Sequence, residues 1–128
     1  MRYLHKLFIS TLFITTFGYG TTINIPSDYT TIQAGINASV DGDTVLIAQG
    51  TYYENLILEN EIVLASHAIN DDLNSDWLNN VNIQETIISG AQEPVDPNKG
   101  SCLVIRDGNI APTILGLTFQ DGIGTAMV

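Results

Sequence analysis

Apolar and polar positions change rhythm once along this chain. Ile32, Ile36 and Val40 recur at helical spacing, with small Gly35 and Ser39 beside them on nearly the same face, which predicts a short amphipathic helix over Thr30 to Val40. Thr30 and Gln33 stand at the spacing of a capping box, whose hydroxyl and amide satisfy backbone donors left free at a helix start. Gly35 costs such a helix about 1 kcal/mol relative to alanine, which points to close approach by another backbone. Asp41, Gly42 and Asp43 then end the helix, because glycine takes left-handed geometry readily and aspartate bonds its own backbone.

Beyond that turn the rhythm is that of strands. Thr44 to Ala48 reads TVLIA, a β-branched run of a strand covered on both faces. Asn55 to Leu58 and Ile62 to Ser66 flank the polar corner Glu59, Asn60 and Glu61, which is too short for a helical crossover. Further strands are predicted over Thr86 to Gly90, Ser101 to Ile105 and Thr113 to Phe119, the last closed by Asp121 and Gly122. Strands such as Ile62 to Ser66, Thr86 to Gly90 and Thr113 to Phe119 recur every ~25 residues, a period of solenoids in which each repeat rests on its neighbours. The expected class is all-β with parallel stacking; a sandwich of short strands is the competing architecture. Two polar excursions, His67 to Glu85 and Ala91 to Gly100, interrupt the period, and insertions between layers often carry binding.

Three segments carry a family likeness: TIQAGINAS from Thr31 to Ser39, DGDTV from Asp41 to Val45 and GTYYEN from Gly50 to Asn55. Their order resembles the N-terminal cap and first coils of secreted right-handed parallel β-helix proteins, the pectate-lyase-like superfamily that includes pectin methylesterases. The resemblance implies a right-handed parallel β-helix with a short N-terminal capping α-helix, in a parent protein acting on or binding polysaccharide, of lyase or pectinesterase type. LTFQDGIG, from Leu117 to Gly124, is similar to the strand that precedes the catalytic motifs of pectin methylesterases. The glutamine motif that follows it in that family is missing before Val128, so no catalytic position carries over, and the chain reads as C-terminally truncated. The alternative is a non-catalytic β-helix module, structural or glycan-binding, of a secreted or cell-surface protein.

The N-terminus reads as an address. Arg2, His5 and Lys6 precede an apolar run from Leu7 to Phe17, and Gly18 and Gly20 supply small residues at positions −3 and −1 of a cut after Gly20. Residues 1–20 are therefore expected to be a secretory signal peptide, the run being well short of the ~20 residues that span a bilayer. Residues 21–128 would then form the cap and first coils of the β-helix domain. Removing the leader leaves Lys99 and Arg106 as the basic residues against 14 Asp and Glu. A formal charge of −10 already argues against a nucleic-acid partner, since phosphate binding needs clustered lysine and arginine. The 45% hydrophobic content excludes a disordered acidic tail.

Candidate chemistry concentrates in the first excursion. Asp71, Asp72 and Asp76 offer carboxylates to Ca²⁺, without the D-x-D-x-D-G spacing of a dedicated loop; a solvated acidic loop is the plainer reading. Trp77 beside them is suited to stacking on a sugar ring or to covering the apolar flank of the coil. Asp41 and Asp43 belong to a turn rather than to a catalytic pair. Glu54 is expected to order its corner, and His67 has no triad partner at assignable spacing. Cys102, the sole cysteine, is expected to be a buried small hydrophobe inside its strand.

Overall fold

Alternation of inward and outward side chains shapes the strands. In β2 (Thr44–Ile47) Val45 and Ile47 are fully buried while Thr44 and Leu46 are half-covered, and in β4 (Leu56–Leu58) Leu56 and Leu58 are buried on either side of Ile57. The computed structural model describes residues 18–90 and 100–124, apart from the side chains of Ser75 and Asp76; residues 91–99 of the second excursion and the whole apolar run from Leu7 to Phe17 lie outside them. The remaining strands are β1 (Thr22–Ile25), β3 (Gly50–Tyr53), β5 (Val63–Ser66), β6 (Thr86–Ser89), β7 (Leu103–Ile105), β8 (Thr113–Leu115) and β9 (Thr118–Gln120).

These strands form three sheets, of order β1-β2-β5-β8, β3-β6-β9 and β4-β7. Every pairing among the described residues is parallel, so the antiparallel sandwich gives way to the parallel class. Strands β2, β3 and β4 are matched in turn by β5, β6 and β7, and β5 and β6 by β8 and β9. Like sits over like: Ile23, Val45, Leu64 and Ile114 share one column, and Tyr52, Ile88 and Phe119 another. The core is the set these columns bury, chiefly Ile25, Val45, Ile47, Leu56, Leu58, Leu64 and Ile88, joined by Ile32 and Ile36 of the helix.

That helix, α1 (Ile32–Ala38), lies against β1, β2 and β4 and differs from expectation at both ends. The N-cap is Thr31, whose Oγ1 accepts from the Ala34 N–H at 3.2 Å. The reciprocal partner comes from the chain beyond β3: the Glu54 carboxylate accepts from the N–H groups of Ile32 (2.9 Å) and Gln33 (3.0 Å). Gln33 is thereby released from capping, and its side chain binds both the N–H and the C=O of Ile57. At the other end Ser39 is already extended, its N–H bonded to Gly35 and Ile36, so the helix stops before the acidic turn. Val40 leaves the apolar stripe and stands 65% exposed. The close neighbour at position 35 is a side chain rather than a backbone: a Cβ there would lie 2.7 Å from Cδ1, the free end of the Ile25 side chain.

Two further points depart from the expected pattern. Thr113 to Phe119 is not one strand, because Gly116, at φ +67°, turns the chain from β8 into β9. The excursion after β5 is largely helical, with short helices α2 (Leu73–Asp76) and α3 (Val81–Glu85) and 3₁₀ turns over His67–Asn70 and Trp77–Asn79. Ser66, Asp72 and Asn80 cap these turns, which is why a polar, asparagine-rich stretch holds helical geometry. Among the described residues no helix is long and apolar enough to cross a membrane.

The acidic turn is itself a tie. Asp43 is 5% exposed, and its carboxylate accepts from the Thr21 N–H (2.7 Å), the Thr21 hydroxyl (2.9 Å) and the Val40 N–H (2.9 Å). The Val40 N–H, then that of Thr21, hold its pKa below the ordinary carboxylate value. A depressed pKa contributes stability that is present above the unfolded value and lost as pH falls through the folded one. Asp43→Asn is therefore expected to lower Tm at neutral pH, and the gap from the parent chain to shrink on acidification below about pH 4 in thermal melts. Gly116→Ala meets two obstacles, left-handed backbone and a Cβ placed 2.6 Å from Ala68 Cβ and 2.8 Å from Ser66 Oγ. We expect a loss of about 2–5 kcal/mol in urea unfolding, from the left-handed penalty together with overpacking.

Candidate functional site

A concavity opens where α1 meets the β4-β7 sheet. Its lining comes from three segments: Gln33, Ile36 and Asn37 of α1; Asn55, Ile57, Glu59 and Asn60 in and around β4; and Arg106, just past β7. The cleft holds about 460 Å³, within the roughly 300–1,000 Å³ of small-molecule sites. Positions 33 and 37 are one helical turn apart, so α1 presents both amides on one flank, and Gln33 Nε2 donates to Asn37 Oδ1 at 2.8 Å. Arg106 arrives because its N–H continues the β4-β7 ladder, donating to the Leu58 carbonyl at 3.0 Å.

Some of these side chains are committed to the scaffold. Gln33 ties the helix to Ile57, Asn55 Nδ2 donates to the Ser101 carbonyl at 3.1 Å, and Asn60 Nδ2 donates to the Ser39 carbonyl at 2.9 Å. Asn37, Glu59 and Arg106 are exposed. Arg106 Nη1 lies 3.3 Å from Glu59 Oε1, an ion pair whose partners are both more than half exposed and which adds little to stability. Arg106 is the only lysine or arginine among the described residues. The polar groups of the lining that face solvent around Ile57 are thus one amide, one carboxylate and one guanidinium.

The residues singled out from sequence lie elsewhere, in the excursion between β5 and β6. Asp71 Oδ2 accepts from Asn80 Nδ2 (2.9 Å) and Asn82 Nδ2 (2.8 Å), and Asn82 Oδ1 accepts in turn from Gln49 Nε2 (2.9 Å). Asp72 caps α2 through the Asn74 N–H at 3.0 Å. The Asp76 side chain lies outside the described residues. Among those described, no group of three or more His, Cys, Asp or Glu is placed to hold a metal ion, so the Ca²⁺ expectation finds no ligand set there. Asp71 and Asp72 instead face amide and backbone donors, the chemistry of a braced loop.

Trp77 is 60% exposed instead of folding back over the coil, and Leu78 and Val81 are exposed as well. Cys102 is only half-buried; its sulfur lies 3.0 Å from the Gln120 carbonyl, with Gly90 and Gly122 close by. His67 is exposed at the start of its 3₁₀ turn. Asp41 accepts from the Glu61 N–H at 2.9 Å, so the two turn aspartates brace different parts of the backbone, as their DGD context indicated.

Neither the family models, nor the curated proteins, nor the solved structures compared with this chain give a match.

The Asp71 network yields a direct check. The amides of Asn80, first, and Asn82 lower the Asp71 pKa. In an NMR carboxyl titration, Asn82→Ala should raise that pKa toward the ordinary aspartate value, and Asn80→Ala should do so at least as strongly. An unmoved pKa in both variants would show that the amides do not hold the carboxylate.

Proposed function

We propose that the described residues are the cap and first rounds of a right-handed parallel β-helix in an exported protein that acts on or binds polysaccharide. The observation that carries this reading is the pairing of each strand, in parallel and in register, with its counterpart one round later in three separate sheets. Parallel neighbours joined without long helical crossovers require the chain to return by another route, and the two other sheets supply it. The seven-residue helix α1 against β1, β2 and β4 fits a cap over the first round, and the TIQAGINAS, DGDTV and GTYYEN segments fall on that helix, the turn into β2, and β3. Fold likeness alone does not transfer an activity, so the substrate class rests on the site.

Within this reading the residues described here contribute scaffold and contact surface, and the reaction, of lyase or pectinesterase type, belongs to the whole protein. The amide-lined cleft favours a second reading, that of a non-catalytic glycan-binding module. Its carboxylate Glu59 is paired with Arg106 rather than set against a second carboxylate, an arrangement suited to holding hydroxyls more than to proton transfer.

Both readings predict retention of the full chain on immobilised polysaccharide, with pectins of high and low methyl ester content and a neutral glucan as the probes. Arg106→Ala and Asn37→Ala should each weaken retention several-fold without lowering Tm by more than a few degrees. Release of unsaturated uronide or of methanol by the whole protein would select the enzyme reading, and binding by the whole protein without product the module. Absence of both binding and product on every polysaccharide would sink the two together.

A further inference from the structure

Asp43 is the only buried carboxylate among the described residues, and none of those residues supplies it with a cation. Its oxygens receive three neutral donors: the Thr21 N–H and hydroxyl on Oδ1, and the Val40 N–H on Oδ2. Arg106, the one lysine or arginine among these residues, is paired with Glu59. A carboxylate taken out of water without a compensating positive charge is costly, and hydrogen bonds from neutral groups offset only part of that cost.

The nearest donor to Asp43 has a particular chemical future. Thr21 N, 2.7 Å from Asp43 Oδ1, is the nitrogen that a cut after Gly20 would liberate. We propose that hydrolysis of the Gly20–Thr21 peptide bond by a leader peptidase completes this site, converting the Thr21 nitrogen into an α-ammonium that forms a buried ion pair with Asp43. In that step water adds across the amide: the C–N bond breaks, Gly20 departs as a carboxylate, and the freed amine takes up a proton. The proposal rests on the export reading of the N-terminal segment, and on its cut site in particular.

Three features of the geometry fit it. The 2.7 Å separation is already that of a charge-assisted N⁺–H···O⁻ bond. Thr21 is held in place independently of the bond to be cut, since its carbonyl accepts from the Thr44 N–H at 2.8 Å and its hydroxyl reaches the same carboxylate. The residue before the cut has no room for a side chain in the folded chain, because a Cβ on Gly20 would overlap the Gly42 carbonyl oxygen. This packing places the scissile bond against the acidic turn in the folded chain, so the cut precedes folding and the new terminus docks as the turn forms. The other acid of the turn, Asp41, is engaged by the Glu61 N–H.

The test uses the full chain produced with its leader in an exporting host. N-terminal sequencing and intact mass should give Thr21 as the first residue. The α-amine of the folded product should then react with acetic anhydride about tenfold or more slowly than in urea, the effect of at least one pKa unit on the free-amine fraction. Acetylating the amine in urea and refolding should lower Tm in the parent chain and much less in Asp43→Asn, the non-additivity expected of a contacting pair. If Asp43→Asn does not fold, the labelling-rate ratio decides alone. A first residue other than Thr21 overturns the proposal while leaving polysaccharide recognition intact. An unprocessed chain overturns the export reading with it. A product beginning at Thr21 whose amine labels equally fast folded and unfolded overturns the ion pair itself.

Discussion

Parallel register is the constraint from which the rest of this structure follows. A parallel strand cannot be paired by the segment that directly follows it, so each ladder here waits for the chain to come round again. Backbone donors of β2 are met on one side by β1 and on the other by β5, and those of β5 by β8 in turn. The surroundings of a side chain are accordingly set by residues far away in sequence. Leu64 is buried because Val45 lies beneath it and Ile114 above, and Ile88 is enclosed by Tyr52 and Phe119. Even the helix obeys this rule, since the donors at its start are met by Glu54 from beyond β3, which makes α1 and the first round a joint product.

What sequence made legible follows the same division. Strands with clean apolar alternation, such as Val45 and Ile47 or Leu56 and Leu58, announced themselves, because period-two burial leaves its mark on neighbouring positions. β1 did not, since TINI carries only two apolar residues and owes its strand geometry to pairing with β2. β3 was not predicted either, because a four-residue run that opens on glycine lacks apolar alternation, and its strand-favouring Thr51, Tyr52 and Tyr53 are held by pairing with β6. Thr30 and Gln33 satisfied the local rule for a capping box, yet a distant carboxylate did that work and the glutamine went to Ile57 instead. Local motifs compete with partners that no local window contains.

The candidate site was almost wholly illegible for that reason. Gln33, Asn60 and Arg106 meet only after the chain has passed through two rounds of pairing, and the motifs that take in Gln33, the capping box and the TIQAGINAS segment, do not point to a site. One faint signal was present: between Thr21 and Pro97 the chain has neither lysine nor arginine, so an isolated Arg106 in an acidic protein had to find a carboxylate or a ligand. The acidic excursion drew notice by composition instead. Two of its aspartates prove to be occupied, Asp71 by two asparagine amides and Asp72 by a helix start, which is how such a polar stretch keeps its shape without a hydrophobic core of its own.

The corners between the first two sheets have unequal lengths. β2 reaches β3 through residues 48–49 and β8 reaches β9 through residues 116–117, whereas residues 67–85 separate β5 from β6. Register is nonetheless kept on both sides of that long corner, with Ile47 over Ser66 and Gly50 over Thr86. Closure entropy grows only with the logarithm of loop length, so the ladders tolerate the detour. The corner after Ser66 is thus a natural graft point, where foreign peptide can be displayed on this scaffold while the strands beneath keep their pairing.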